Sequence, residues 1–330
     1  QMTDPAGNQV SFAYSPAGDL TSATDQNGGV TSFAYDSSHH ITSVTDPGGH
    51  TSANNTYDGQ GKVVAQTDAD GKLTTFAYDD TNHKTTMTRR MDPNDSSKNE
   101  VTVFYYDSSY RLVRETDPYG KDTLHTYDAA GNRDTVTDRR GTVTKQIYDA
   151  SGNVTDIYKA YGAPGQEHTS YTYNAKNHPL SRMDARGFTA NYTYDASGSF
   201  LTQAAYPQVT SYNGAISNFT EAFTYNADGT KASFTGKNGN VTGYCYDTNG
   251  NMITENRNTN RAAADQVTLA YSHDALGRKT SATDGNGHTT TFQYDNLGKL
   301  RYETKQVTDP GTGQLVNVTT ESQYDAAGNK

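Results

Sequence analysis

The sequence predicts an all-β fold in which tandem β-hairpins of about 21 residues join into one long, curved and coiled sheet, a spiral shell or tube wall. Three observations predict it. The string Tyr-Asp-x-x-Gly recurs along the whole chain. The residues between the strings alternate as strands do. Only 32% of the 330 residues are hydrophobic and Trp is absent, so no thick central core is expected.

The repeat has fourteen starts, and the regular units are 21 residues long. Self-similarity at a fixed period is typical of repeat architectures. We therefore interpret residues 1–330 as a single array of about fourteen units, truncated at both ends and part of a larger protein. The first residues of the units are Tyr14, Tyr35, Tyr57, Tyr78, Tyr106, Tyr127, Tyr148, Tyr173, Tyr194, Tyr225, Tyr246, His273, Tyr294 and Tyr324.

Each repeat start opens a first turn. Asp at the second position suits an Asx-turn, in which its side chain accepts from the backbone two residues on. Gly at the fifth position suits the left-handed residue that closes a type I turn with a bulge. Gly131, Gly152, Gly250, Gly277 and Gly298 are examples. The units without Gly have His39, Asn82, Tyr110 and Asn177 there, and Tyr110 predicts strain or a different turn.

A second turn follows in each unit and often contains Asp-Pro, as in Asp46-Pro47 and Asp117-Pro118. Pro presets φ for a turn and ends the strand before it. Five units carry inserted residues, all at or soon after this turn. Insertions in one phase of a repeat predict one tight rim and one rim with long loops. The insertions fall roughly at 93–103, 160–170, 206–222, 256–268 and 307–321.

Aromatic residues alternate along the strand that leads to each repeat tyrosine. Phe76 and Tyr78 share one face, and Tyr171 and Tyr173 repeat the pattern. The pattern predicts an aromatic ladder across neighbouring strands, with cross-strand pairs of roughly 0.2–1 kcal/mol each. About 28 strands spaced by roughly 4.8 Å extend on the order of 130 Å, and so long a twisted sheet curls.

These motifs resemble the YD-repeat, or Rhs, proteins. That family includes bacterial Rhs toxins, the B and C components of insecticidal ABC toxins, wall-associated bacterial proteins and animal teneurins. The resemblance covers essentially residues 3–330. It implies a hollow β shell that encloses a C-terminal toxic polypeptide, or a rigid scaffold in surface members. It also implies that any enzymatic activity lies outside the repeats. The resemblance further implies a bacterial protein that is secreted or attached to the cell surface.

The leading hypothesis is therefore a non-enzymatic structural wall that encloses or displays a toxin or other effector. Its partners would be the remainder of its own chain or a C-terminal cargo. One alternative is an extracellular adhesion module that binds a glycan or a protein. Another is a fibre that self-associates through exposed sheet edges. Aromatic residues in the long loops are the candidates for partner contacts: Tyr161, Tyr206, Tyr212 and Phe219.

Other classes of function are disfavoured. The chain has 37 acidic and 27 basic side chains, which argues against nucleic-acid binding. The sequence has no run of 18 apolar residues, which is about the length that a membrane-spanning helix needs. Cys245 is the only cysteine, the nine His are scattered, and no cofactor or metal motif occurs. Some members of the family that the chain resembles cleave themselves at a domain with paired Asp-Pro-x-Gly motifs, and the residues at Asp117 have this pattern, while Asp247 to Asn251 has a calcium-loop composition. Turn chemistry is the preferred interpretation of both.

Overall fold

The structure, a computed structural model, describes residues 1–3, 9–26, 28–92, 94–210, 216–217, 219–324 and 330. Two short 3-10 helices, Ser96–Lys98 and Ala263–Asp265, accompany the strands. The strands are β1 (Met2–Thr3), β2 (Gln9–Tyr14), β3 (Leu20–Thr24), β4 (Val30–Tyr35), β5 (Ile41–Thr45), β6 (Thr51–Tyr57), β7 (Val63–Asp68), β8 (Leu73–Asp79), β9 (Lys84–Arg89), β10 (Glu100–Tyr106), β11 (Leu112–Thr116), β12 (Asp122–Tyr127), β13 (Arg133–Thr137), β14 (Val143–Tyr148), β15 (Val154–Lys159), β16 (Glu167–Tyr173), β17 (Pro179–Met183), β18 (Thr189–Tyr194), β19 (Leu201–Ala205), β20 (Val209–Thr210), β21 (Ile216–Ser217), β22 (Thr220–Tyr225), β23 (Lys231–Thr235), β24 (Val241–Tyr246), β25 (Met252–Arg257), β26 (Val267–His273), β27 (Lys279–Thr283), β28 (Thr289–Tyr294), β29 (Leu300–Thr308) and β30 (Leu315–Glu321).

Twenty-eight of these strands form one antiparallel sheet. Each strand pairs with its neighbours in sequence, except that β19 pairs with β22 and leaves β20 and β21 as a small separate ribbon. The predicted all-β fold of tandem hairpins in one curved sheet is thus confirmed.

A one-residue bulge accompanies the first turn of the repeat. Tyr105 pairs with Arg114, whereas Tyr106 pairs with Leu112, so Val113 is the extra residue. The same shift occurs at every described first turn except the one after Tyr78. A bulge bends its strand and increases the local twist. A bulge in nearly every unit therefore adds curvature in one sense along the sheet.

The described residues contain almost no buried core. Ala190 and Ala204 are the only buried hydrophobic residues among them. The accessible surface is 20064 Å², whereas a compact monomer of 35.8 kDa would expose about 13,000 Å². The protein is thus a single-layered wall whose stability comes from contacts along the sheet.

The two faces of this wall differ. We call the side that carries the repeat position, and the residues two and four before it, the tyrosine face. The residue just before the repeat position lies on the opposite side, the small-residue face, which is rich in Thr, Ser and Ala. In β12, Tyr127 and His125 are half-buried, while Thr126 and Leu124 are exposed. Every described residue just before a repeat position is exposed, except Tyr105.

The insertions lie on one rim, but one of them is not a loop. Residues 307–321, expected to form a loop, instead extend a hairpin in which β29 and β30 stay paired out to Thr308 and Leu315. Alternating Thr and Val in this segment suit a strand, and only residues 309–314 form the connection.

Candidate functional site

Each first turn is closed by its aspartate. In the turn after Tyr106, Asp107 Oδ1 accepts from the backbone N–H groups of Ser109 and Arg111, both at 2.9 Å. The N–H of Tyr110 donates to the carbonyl of Asp107 at 2.9 Å. Donation by the Arg111 backbone, with smaller contributions from its side chain and from Ser109, holds the pKa of Asp107 below its ordinary value.

The fifth position of the turn has a left-handed backbone. The nine described glycines at this position have φ between 73° and 93°: Gly18, Gly61, Gly131, Gly152, Gly198, Gly229, Gly250, Gly277 and Gly298. His39 and Asn177 replace glycine at φ of 66° and 64°. Tyr110 keeps the same turn with φ of 58°, so the structure has strain there rather than a different turn.

The turn after Tyr78 departs from the expected one. Its left-handed residue is His83, with φ of 49°, and not Asn82. Asp79 pairs with Lys84, so the loop starts at Asp80 and the hairpin has no bulge. Two consecutive aspartates allow either one to begin the turn, and the sequence phase alone favoured the wrong one.

The repeat tyrosine links consecutive units. Tyr127 Oη donates to the carbonyl of Leu112 at 2.7 Å, and Leu112 is the strand partner of the preceding repeat residue, Tyr106. This carbonyl lies next to the bulge, where the backbone ladder is interrupted. Nine repeat tyrosines make this bond, at 2.6 to 3.0 Å: Tyr57, Tyr78, Tyr127, Tyr148, Tyr173, Tyr194, Tyr225, Tyr294 and Tyr324.

The remaining repeat positions occupy the same place on the tyrosine face. Tyr35, Tyr106, Tyr246 and His273 are half-buried there, and Tyr14 is 62% exposed.

A turn residue packs on the ring of the next repeat tyrosine. The guanidinium of Arg111 lies 4.7 Å from the ring centre of Tyr127, and the ring of His40 stacks on Tyr57 at 4.7 Å. Among the described residues, no ring contact joins two repeat tyrosines, so the predicted aromatic ladder is not continued from unit to unit by the repeat tyrosines themselves. Successive repeat tyrosines stand two strands, about 10 Å, apart. The residue that follows the left-handed residue of the turn therefore packs on the ring instead.

Burial on the tyrosine face affects ionisation. It raises the pKa of Tyr173, Tyr194 and Tyr294 above the ordinary value. The neutral hydroxyl, which donates the linking bond, is thus the favoured form.

The loop aromatics predicted to contact a partner are mostly engaged within the wall. Tyr206 Oη donates to Glu221 at 2.6 Å, which raises the pKa of Tyr206 to about 12. Lys237 Nζ lies 3.5 Å from the centre of the same ring. Phe219 is half-buried, Tyr161 is 43% exposed, and Tyr212 lies outside the described residues.

The most exposed aromatic residues lie instead on short turns. Tyr119, on a second turn, is 86% exposed, and Tyr110, on a first turn, is 69% exposed. The sequence carries a signal for Tyr119, since the two central residues of a short turn point outward.

The Asp-Pro-x-Gly motif at Asp117 is a turn. Asp117 Oδ1 accepts from the N–H groups of Tyr119 and Lys121, and its Oδ2 lies 3.0 Å from Arg139. The motif at Asp46 makes the same backbone bonds, and the motif at 4–7 lies outside the described residues. Every carboxylate oxygen that a cleavage mechanism would use at Asp117 is thus hydrogen-bonded or paired with a cation.

The calcium-like segment is a turn as well. Asp247 Oδ1 accepts from the N–H groups of Asn249 and Asn251, and Oδ2 accepts from the Asn251 side chain. Within the part of the chain that the structure describes, no group of three or more His, Cys, Asp or Glu is arranged to hold a metal ion. No helix in that part is both long and apolar enough to cross a membrane.

The first and last described units meet along a seam. Second turns near Asp25, Asp46 and Asp68 face first turns near Asp274 and Asp295 across a cleft of about 1350 Å³. His50 and Tyr324 line an adjoining cleft. The sheet therefore coils until the second-turn rim of its beginning lies over the first-turn rim of its end.

Comparison with known proteins agrees with this architecture. Three segments match the RHS Repeat family, at residues 14–51, 57–90 and 273–314, and cover about a third of the chain. The resemblance to Rhs-repeat proteins is thus confirmed on these segments. No curated protein sequence matches the chain.

Solved structures share the fold at low sequence identity. One, titled "Crystal Structure of TcdB2-TccC3-Cdc42", is similar with a TM-score of 0.66 and 14% identity over 99% of this chain. Another, "Crystal Structure of TcdB2-TccC3-TEV", has a TM-score of 0.57 and 13% identity over 98%. The chain spans 18% of each of those chains. The likeness therefore concerns the coiled β wall and a minor part of those proteins.

Proposed function

We propose, on the premise of the Rhs repeats at 14–51, 57–90 and 273–314, that the chain is a wall segment of a shell that encloses a polypeptide cargo. The role is mechanical and not enzymatic. The cargo would be the remainder of its own chain, such as a C-terminal toxin, and the protein would be a secreted or cell-surface protein of a bacterium. The 330 residues would form one continuous array of repeats within that shell.

The seam is the observation that carries this proposal. A sheet whose role was only to display a ligand would not need to coil and could remain an open strip. This sheet coils until Asp46 and Asp295, which are separated by most of the chain, line one cleft. Coiling of a single layer around an axis surrounds space rather than filling it.

The contacts that stabilise the sheet suit a wall around an interior space. The repeat tyrosines bond backward to the preceding unit, so each unit is held mainly by its neighbours. A wall of this kind needs no central core, which leaves its interior free for a cargo.

Protection from protease tests this function. The complete protein that contains this array would be digested before and after mild denaturation, and the fragments identified by mass. The proposal predicts that the enclosed segment resists cleavage until the wall unfolds, and that micrographs show hollow particles. A cargo that is cleaved at once from the native protein would contradict it.

A further inference from the structure

The backbone does not close the seam. Within the described residues, no strand among β2–β8 pairs with a strand among β26–β30. The two sides meet through their turns, which line a cleft of about 1350 Å³. Such a cleft holds many water molecules, since one occupies about 30 Å³ in the liquid. The seam therefore depends on forces between the side chains of facing turns, and charge is a force that acts across water.

The side of the seam that comes first in the chain, the early side, is acidic. Among the described residues of this side, no Lys or Arg lines the cleft, but three turn aspartates do: Asp25, Asp46 and Asp68. His50 Nδ1 lies 3.5 Å from Asp46 Oδ2. Asp70 and Lys72, in the third of these turns, pair with each other at 3.9 Å. The early side thus presents carboxylates to the cleft at neutral pH.

The side that comes last in the chain, the late side, carries cations. Arg278 and Lys299 line the same cleft, and Arg301 lines the adjoining one. Two of these cations have carboxylate partners on their own side. Arg278 lies 2.7 Å from Asp274, and Arg301 lies 3.4 Å from Glu321.

The charge of Lys299 is not needed by its own turn. Its ammonium stands 5.3 Å from the ring centre of Tyr324, and it is the backbone N–H of Lys299 that donates to Asp295. Other units close the same turn with asparagine at this position: Asn132, Asn153 and Asn251. The positive charge of Lys299 therefore acts on the carboxylates across the cleft.

Acid reverses the balance of charge at the seam. Protonation neutralises the carboxylates on both sides, whereas the three cations of the late side keep their charge. His50 becomes positive on the early side. Tyr294 and Tyr324 also line the clefts, and their hydroxyl groups stay neutral throughout. Attraction across the cleft thus gives way to repulsion as the pH falls.

We propose that the seam is an electrostatic latch, which the attraction between Lys299 and the early-side aspartates keeps closed at neutral pH and which acid or high salt opens. Opening separates the two rims, while the strand pairing within each hairpin persists. The latch is a property of the wall itself and requires no cargo, so it can fail while the shell function stands.

The distance across the cleft tests the latch. Spin labels at Ala69→Cys and Asn296→Cys, both in turns that line the cleft, would be placed in a Cys245→Ser background of the whole chain. Pulsed electron resonance would be recorded at neutral pH and at about pH 4. At neutral pH it would also be recorded in about 0.01 M and about 1 M salt, which shortens the Debye length from about 30 Å to about 3 Å.

Charge reversal at one position gives a second, independent measurement. Lys299→Glu places a negative charge opposite the early-side aspartates. Lys62→Glu is the matched control, because Lys62 occupies the same position of its own first turn and stands 5.0 Å from the ring centre of Tyr78. That turn does not line the cleft.

The proposal predicts a short distance at neutral pH and low salt that lengthens at least twofold in acid and in high salt. Lys299→Glu has the long distance already at neutral pH and low salt, and Lys62→Glu keeps the short one. Unchanged far-ultraviolet circular dichroism shows that the strands persist, and where acid unfolds them, the salt series and Lys299→Glu decide.

Two results would overturn the latch, and they differ in what else they contradict. A short distance under every condition and in Lys299→Glu rejects the latch but leaves the coiled wall standing. A long distance in the parent protein at neutral pH and low salt rejects both the latch and the coiled wall.

Discussion

Thr172 and Tyr173 are consecutive residues on opposite faces of one strand, and they act over different ranges. Tyr173 Oη donates to the carbonyl of Val154, in the preceding unit, at 2.6 Å. Thr172 Oγ1 lies 2.7 Å from Ser181 Oγ, within its own hairpin. The tyrosine face thus joins units to one another, whereas the small-residue face adds contacts inside each hairpin. The side-chain contacts that hold the units together therefore come from the tyrosine face. The amino acids of the small-residue face are less constrained by these contacts.

Truncation of the two residues gives the largest contrast. Tyr173→Ala removes a half-buried ring and the link between units, and we expect a loss of about 2–3 kcal/mol in unfolding free energy. Thr172→Ala on the exposed face should cost less than about 0.5 kcal/mol. Denaturant unfolding of both variants measures the difference. Equal losses would contradict the assignment of cohesion to the tyrosine face.

Removal of the hydroxyl alone sharpens the comparison. Tyr173→Phe keeps the ring but leaves the carbonyl of Val154 without its partner, so we expect a loss of about 1 kcal/mol. Amide hydrogen exchange should quicken in the units on both sides of Val154 and stay unchanged in distant units. Ser181→Ala, on the other face, is the matched control. A uniform change along the chain would show that the bond is not a local link.

Changes in backbone strain at the turns should alter the unfolding free energy by about as much as Tyr173→Phe does. Gly152 has φ of 81° and no atom within 4 Å of where a Cβ would stand, so Gly152→Ala costs about 1 kcal/mol from backbone conformation alone. Tyr110, with φ of 58° and 69% exposure, gives the opposite sign. Tyr110→Gly should stabilise by up to about 0.5 kcal/mol. Melting temperatures that move in the same direction for both variants would contradict this account of the turn.

The smallest predicted effect is the contribution of one turn aspartate to the loss of stability in acid. The Asn153 side chain and backbone, both donating to Asp149, hold the pKa of Asp149 below its ordinary value. Its contribution is therefore present above that ordinary value and is lost as the pH falls through the lower, folded-state pKa. Asp149→Asn keeps the acceptor oxygen, as Asn174 does in its own turn. We expect a lower melting temperature at neutral pH, because this contribution of the carboxylate is absent, and a smaller further loss in acid than in the wild-type protein.

Local chemistry was largely predictable from the sequence. The period, the aspartate-closed turns and the rim that carries the insertions depend on residues a few positions apart, and these follow from turn and strand chemistry. Asn82 was the exception, since two adjacent aspartates offered two possible turn starts. Residues 307–321 were mistaken for a loop because an insertion that lengthens both strands looks like one that lengthens their connection.

Contacts between units were not predictable in the same way. The hydroxyl bond of Tyr127 reaches back 15 residues, and it depends on a bulge that only the pairing register reveals. The seam joins Asp46 to Asp295 because small bends accumulate over the whole sheet. Exposed Tyr119 was overlooked because loop length is a poor guide to exposure.

The distance across the seam tests the central claim most directly. Spin labels would be placed at Pro47→Cys and Leu297→Cys in a Cys245→Ser background, and the distance measured by pulsed electron resonance. Both residues line one cleft in the coiled wall, so a short, resolved distance is expected. A flat strip with the same strand pairing would separate them by on the order of 100 Å. A distance close to that larger value would contradict the coiled wall and, with it, the proposed shell.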